Sequence, residues 1–287
     1  MNASSKRKKS NSRVAKEILA RRGKVVSREV IRRFRKKEGQ SPFHEVRKPK
    51  VTQLNREDRR WFADFLRLWD VEDFLHLCCS DEFYVYLVRR PNHQNDRIWA
   101  TSLQDIPDTE RIREIPNSVQ CVGIFLCFSA KEMMWHIKPN GQSWDGAFFR
   151  EVILTENVIP FLRDPTKVLD PEQVTFLHDR APCMKALATQ QLLRDNGIDF
   201  FGNNEWPGNS PDLNPCEHLG AIMKSRVEDA LVERFPLNNA TFHDLHVVLA
   251  EVLETMRYDR ETFEALLLSY PERLRQVRQA QGGHTNF

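Results

Sequence analysis

Four short apolar runs, at 74–79, 83–88, 119–128 and 132–137, constrain the fold of this chain more than any other feature. They are short and rich in β-branched and aromatic residues, with turn signals between some of them, so they read as strands of one sheet. Val174-Thr175-Phe176-Leu177-His178 makes a further short strand ending at Asp179, and Ile198-Asp199-Phe200-Phe201 another. Helical spacing marks 56–70, with Trp61, Phe62, Phe65, Leu66 and Trp69 as its apolar residues. It also marks 144–162 after Ser143 as N-cap, and 183–195 up to Asn196-Gly197. From Asn214 onward the chain reads as mostly helical, broken near Pro236 and Pro271. Strands first, then strand and helix in alternation, predict a mixed α/β domain with helices against both faces of the sheet.

Charge divides the chain of 287 residues into two domains, a basic 1–50 and a body over 51–287. Residues 1–50 carry 18 Lys/Arg against 4 Asp/Glu, a net of +14, whereas the whole chain is only +3, which leaves residues 51–287 at −11. A basic arm suits a polyanion, and an acidic body that handles nucleic acid must be neutralised locally, with help from cations. The plainer reading is a solvated basic tail. The six cysteines form no CxxC pair, so neither a zinc knuckle nor a disulfide framework is indicated, and a reducing compartment is the simpler inference. No apolar run reaches the ~18 residues of a membrane span. Lys6-Arg7-Lys8-Lys9 reads as a nuclear address or as part of a DNA-binding arm, and both place the chain near nucleic acid, with the nucleus as the expected location.

Residues 12–39 read as two short helices, the first with Val14, Ile18 and Leu19 as its apolar stripe and the second, after Ser27 as N-cap, with Val30, Ile31 and Phe34. The second helix carries Arg28, Arg32, Arg33, Arg35, Lys36 and Lys37. One apolar face opposite a dense cationic face fits a helix whose cations reach DNA phosphates while a few side chains reach base edges, although a solvated amphipathic helix has the same pattern. Closing so small a core takes a third helix, and no apolar periodicity precedes Asn11 to make one. Residues 40–55, with Pro42 and Pro49, read as a linker.

Three acids stand out in the body. Asp81 is expected between two strands, Asp179 at the end of a third, and Glu217 on a helix that starts with Asn214 as N-cap and Pro215 as its first residue. Phosphodiester cleavage and strand transfer need one oxygen activated and another stabilised in line, which two divalent ions held by a few carboxylates accomplish. Each acid also has an innocent reading. Glu217 stands where a capping box places a Glu; Asp179 and Asp81 are good turn residues; and Glu82 is an alternative to Asp81. His178 is left out of the site, because Mg²⁺ does not favour imidazole and a lone His beside apolar neighbours is more often structural.

The wording around the acids is more specific. Asp179-Arg180-Ala181-Pro182-Cys183, Trp206-Pro207 followed by Ser210-Pro211-Asp212-Leu213-Asn214-Pro215-Cys216-Glu217, and Ser80-Asp81-Glu82 resemble the three catalytic motifs of DDE-type transposases of the Tc/mariner superfamily. The 37 residues between Asp179 and Glu217 match the spacing of one branch of that family. Ser269-Tyr270-Pro271-Glu272-Arg273-Leu274 and Gly282-Gly283-His284-Thr285 resemble its closing segment. The resemblance implies a ribonuclease H-like fold and cut-and-paste chemistry on double-stranded DNA at terminal inverted repeats and target sites. It implies two Mg²⁺ or Mn²⁺ ions held by Asp81, Asp179 and Glu217. It leaves a homodimer open as the assembly and involves no membrane. It also implies that 12–39 correspond to the last two helices of a paired helix-turn-helix region whose earlier part is missing.

Three positions depart from the family pattern. Arg180 stands where Asn is usual, Met184 where His is usual, and Gly220 where Trp is usual. A permanent cation at Arg180 competes with metal or holds a phosphate. Gly220 costs its helix about 1 kcal/mol relative to Ala and removes a large core side chain. The leading expectation is therefore a transposase that cuts and joins DNA ends; the alternative is a transposon-derived DNA-binding protein in which the acids are relics.

Overall fold

The computed structural model describes residues 11–39, 50–87, 102–107, 120–235 and 239–287, and the chain divides into two compact units, Met1–Lys48 and Pro49–Phe287.

In the first unit, helix α1 (Asn11–Arg22) is followed by α2 (Arg28–Lys37), whose N-cap Ser27 accepts the Val30 N–H at 3.3 Å. The expected apolar stripe of α2 is only partly covered. Ile31 is buried, but Val30 and Phe34 are 55% and 61% exposed.

The second unit opens with α3 (Gln53–Phe65), closed at its start by a Thr52/Asn55 capping box and continued by a 3₁₀ turn at Leu66–Leu68. A short helix α4 (Val71–Leu75) leads into strand β1 (Leu77–Tyr86). Strands β2 (Cys121–Phe128) and β3 (Met133–Ile137) lie to one side of β1, each antiparallel to its neighbour, while β4 (Thr175–Leu177) and β5 (Asp199–Phe200) lie to the other, parallel to it. The order β3-β2-β1-β4-β5 makes β1 the centre of a mixed sheet.

Here the structure corrects two expected boundaries. Phe74 and Leu75 end a helix, since Asp70 caps α4 by accepting the Glu72 and Asp73 N–H groups. The turn expected around Ser80-Asp81 is strand. Ser80 is buried and donates to the Leu177 carbonyl at 3.1 Å, and Asp81 and Glu82 pair with Leu126 and Phe125, so polar residues that resemble a turn are satisfied by neighbouring strands. Residues 88 and 119, the outer ends of two expected strands, lie outside the described residues.

The expected helix over 144–162 is capped by Asp145 rather than Ser143, with Asp145 accepting from the Ala147 and Phe148 N–H groups. It is α-helical at α5 (Gly146–Phe148), π-helical through Phe149–Val158 and α-helical again at α6 (Ile159–Leu162). The next one divides at Ala186 into α7 (Pro182–Lys185) and α8 (Leu187–Asp195). A 3₁₀ turn at Pro211–Leu213 precedes α9 (Pro215–Arg234), then α10 (Phe242–Met256), α11 (Arg260–Leu268) and α12 (Tyr270–Gln279). Pro271 sits in the first turn of α12, where its missing N–H is harmless, while the break expected near Pro236 lies outside the described residues.

Alternation along β1 sends Leu77, Cys79, Phe83 and Val85 into one apolar core with Leu219 and Met223 of α9, Leu249 of α10 and Phe62 of α3. Cys78 faces a second core with Phe125, Phe149, Phe176 and Leu193. Helices thus cover both faces of the sheet, the layering of a ribonuclease H-like domain. Among the described residues no helix is long and apolar enough to cross a membrane.

Candidate active site

Parallel pairing of β1 with β4 places the first two acids. Cys79 lies opposite Leu177, so Asp81 and Asp179, each two residues further along, emerge at the same level of neighbouring strands. The His178 Nδ1–H donates to the Asp179 carbonyl at 2.6 Å, and the Ala181 N–H donates to Asp179 Oδ1 at 2.8 Å, which holds the carboxyl at the strand exit. The turn reading of Asp179 is therefore realised through one oxygen, while the residue itself stays exposed.

Asn214 brings in the third acid. Its side-chain oxygen caps α9 by accepting the Cys216 N–H at 3.1 Å, and its Nδ2 donates to the Ser80 carbonyl at 3.0 Å and to Asp81 Oδ2 at 3.3 Å. One buried amide thus ties the helix start to the middle of β1. The capping-box alternative for Glu217 is not adopted: the Asn214 N–H goes to the Pro211 carbonyl, and the Glu217 carboxyl lies within hydrogen-bonding reach of Asp81. Glu82 does not line the cleft with Asp81. As the next residue on the strand it faces the opposite side of the sheet, with Cys183 Sγ donating to its Oε1 at 3.8 Å.

Together Asp81, Asp179 and Glu217 line a cleft of about 240 Å³ with Arg180, Asn214 and the loop from Trp206 to Pro211. Burial, with the charges of Glu217 and Asp179 added, pushes the Asp81 carboxyl up to about 8. Burial also raises Glu217, with Asp179 adding to it, against the lowering effect of the Asp81 hydrogen bond and the Lys224 ammonium. Glu82 is raised to about 7 by burial and then by Asp179. Two carboxyls in mutual contact must share a proton or a cation. Their hard oxygen donors suit Mg²⁺ or Mn²⁺, so the residues present fit a divalent ion, although among the described residues no three His, Cys, Asp or Glu side chains already stand at ligand spacing.

Several residues that position this cleft are not legible as site residues from sequence. Lys224, two turns along α9 from Glu217, lies over the Phe83 ring at 4.6 Å; burial lowers its ammonium while Glu217 and Asp81 oppose that. Asp212, in the turn before α9, takes both ends of the Arg59 fork at 2.7 Å and the Thr285 hydroxyl at 2.8 Å, with the Arg59 and Asp212 side chains only 1% and 10% exposed. Arg59 also donates to the Gly282 and Gly283 carbonyls, and Arg273 donates to the Asp212 carbonyl at 2.7 Å. The turn that leads into Glu217 is thereby fastened to α3, α12 and the C-terminal segment.

The three departures from the family pattern fall in different places. Arg180 lines the cleft, Met184 is buried in the second core, and Gly220 faces the Phe83 ring. His178 is buried between the Phe176 and Phe200 rings and points away from the acids' cleft, which fits a structural role. Of the six cations expected to meet DNA, Arg32 and Arg33 hydrogen-bond to Glu29, and Arg35 bonds to Asn11. Arg28, Lys36 and Lys37 are exposed.

No protein-family model matches the chain. No curated protein matches it either. Solved structures do. The chain is similar to the Mos1 transposase paired-end complex with left transposon end, at 18% identity over 97% of this chain and 76% of that one, with a TM-score of 0.68. The Mos1 mariner paired-end complex with Mn gives 17% identity, the same coverage and a TM-score of 0.68. The catalytic domain of Mos1 mariner transposase matches at 16% identity over 84% of this chain and all (100%) of that one, with a TM-score of 0.56. The chain therefore has the fold of a mariner transposase, in agreement with the resemblance of its motifs.

Proposed function

We propose that this protein is a DDE transposase that cleaves DNA at transposon ends and joins the freed ends to target DNA in a metal-dependent reaction. The observation that carries this reading is the meeting of Asp81, Asp179 and Glu217, from two strands and a helix, in one cleft. The likeness to Mos1 structures bound to a transposon end and to Mn supports the same substrate and the same class of ion.

Asp81, Asp179 and Glu217 would hold two divalent ions. Ions held there activate the attacking oxygen, a water or a DNA 3′-hydroxyl, and stabilise the leaving oxygen. Asn214 holds the Asp81 carboxyl at the cleft, and Asp179 keeps one carboxyl oxygen that Ala181 does not engage. None of the three acids serves as a nucleophile, so no covalent protein–DNA intermediate forms. Arg28, Lys36 and Lys37, with Arg32, Arg33 and Arg35, engage phosphates of the terminal repeats. Nuclear localisation and a homodimeric assembly belong to this proposal. A second reading, a DNA-binding descendant without catalysis, is favoured by one observation, the guanidinium of Arg180 in the cleft.

The test is Mn²⁺-supported cleavage and joining of DNA-end duplexes by the purified protein beside Asp179→Ala. Products from wild type alone support the transposase. Equal behaviour of the two proteins rejects it.

A further inference from the structure

Arg180 is the only cation among the described residues that line the acidic cleft. Among those residues it makes no hydrogen bond or ion pair, although its immediate neighbour is Asp179. The Asp179 carboxyl accepts the Ala181 N–H, and the Arg180 side chain lies beside Gly208, where a Cβ would lie 3.6 Å from its Nη1.

From this placement we infer that Arg180 is a phosphate-positioning residue: its guanidinium takes one phosphodiester of the DNA strand that enters the cleft. This rests on the cleft being a DNA site, as proposed above. The acidic cleft, with the Asp179 carboxylate at its edge, repels a polyanion, and divalent ions relieve that repulsion only when bound. A guanidinium is charged at every working pH and presents two parallel N–H donors that match phosphate oxygens. A half-buried one without an acidic partner keeps its full donor capacity for the ligand. DNA entry to the cleft is then partly independent of metal, and the strand is already in register when the ions arrive.

The experiment is DNA binding by the full chain in EDTA, read by fluorescence anisotropy across a salt series, for wild type, Arg180→Asn and Arg180→Lys. With one phosphate fewer neutralised, the slope of log K against log salt falls by about 0.9 in Arg180→Asn, and the Lys variant retains the slope. Affinity falls about tenfold in Arg180→Asn, as for one charged hydrogen bond. A methylphosphonate scan of the DNA identifies the phosphate independently of variant folding. One neutralised phosphate weakens wild type about tenfold and leaves Arg180→Asn unchanged. Equal slopes and an additive scan, with wild type still binding the duplex, overturn the role of Arg180 alone. A wild type with no affinity for the duplex overturns the DNA-site reading as well.

Discussion

Phe83 on β1 and Gly220 on α9 are fitted to one another: a Cβ built at position 220 would lie 2.8 Å from Phe83 Cε2 and closer still to Cε1 and Cζ. The glycine therefore does not leave a hole in the core. The Phe83 ring, 3% exposed, fills the space that a large side chain at 220 would occupy. Gly220→Ala gains helix propensity of about 1 kcal/mol but drives a methyl into the buried Phe83 ring, which must shift within a packed core at an overpacking cost of about 1–3 kcal/mol. The expected outcome is net destabilisation, read as a lower urea midpoint at unchanged m. Adding Phe83→Leu to the alanine variant should recover part of the loss.

Asp212 and Arg59 give a second prediction. Asp212→Ala leaves the Arg59 guanidinium buried without its carboxylate, which costs about 3–5 kcal/mol. It also removes the acceptor of the Thr285 N–H and hydroxyl, one of the ties on the C-terminal segment. Thermal unfolding should show the loss, and limited proteolysis should cut the C-terminal segment of the variant first. Replacing both residues with apolar ones of similar size should cost less than Asp212→Ala.

These two relationships show where the sequence is readable and where it is not. The strands, the order of the helices and the cap at Asn214 follow from periodicity and local chemistry, and the three acids from their setting. Ser80-Asp81 resembles a turn yet forms strand because its polar side chains are satisfied by Leu177 and Asn214, residues far along the chain. The Arg59–Asp212 pair spans 153 positions, and the Phe83–Gly220 fit is a matter of volume; neither has a local signature. The offset that levels Asp81 with Asp179 depends on strand register, which no single strand specifies.

The raised Asp81 carboxyl makes stability depend on pH. The unfolded chain releases this proton near the ordinary Asp value of about 4, whereas the native protein holds it to about 8. Between those values the native state binds more protons, so stability is greatest below pH 4 as far as this group is concerned and falls as pH rises towards 8, by up to about 1.4 kcal/mol per pH unit. In metal-free buffer, Asp81→Asn should flatten that slope in denaturant titrations. An unchanged slope would place the shared proton elsewhere.

The basic unit should act through charge. Exposed i,i+3 and i,i+4 pairs such as Glu29 with Arg32 and Arg33 are worth little and exchange readily for phosphate. Replacing Arg28, Lys36 and Lys37 together by Gln should lower the salt slope of DNA binding by about 0.9 for each phosphate that is no longer neutralised. Thermal stability should stay within about 0.5 kcal/mol of wild type, since all three are on the surface.

The central claim is that Asp81, Asp179 and Glu217 form one cation site, and Mn²⁺ titration followed by electron paramagnetic resonance tests it most directly. Wild type should bind Mn²⁺ with release of a proton near pH 7, since Asp81 holds one until a cation replaces it. Asp81→Asn, Asp179→Asn and Glu217→Gln should each weaken binding by at least about tenfold, with Glu82→Gln close to wild type, because Glu82 lies on the other face of the sheet. Wild-type affinity in all three acid variants, or a loss confined to Glu82→Gln, would contradict the account.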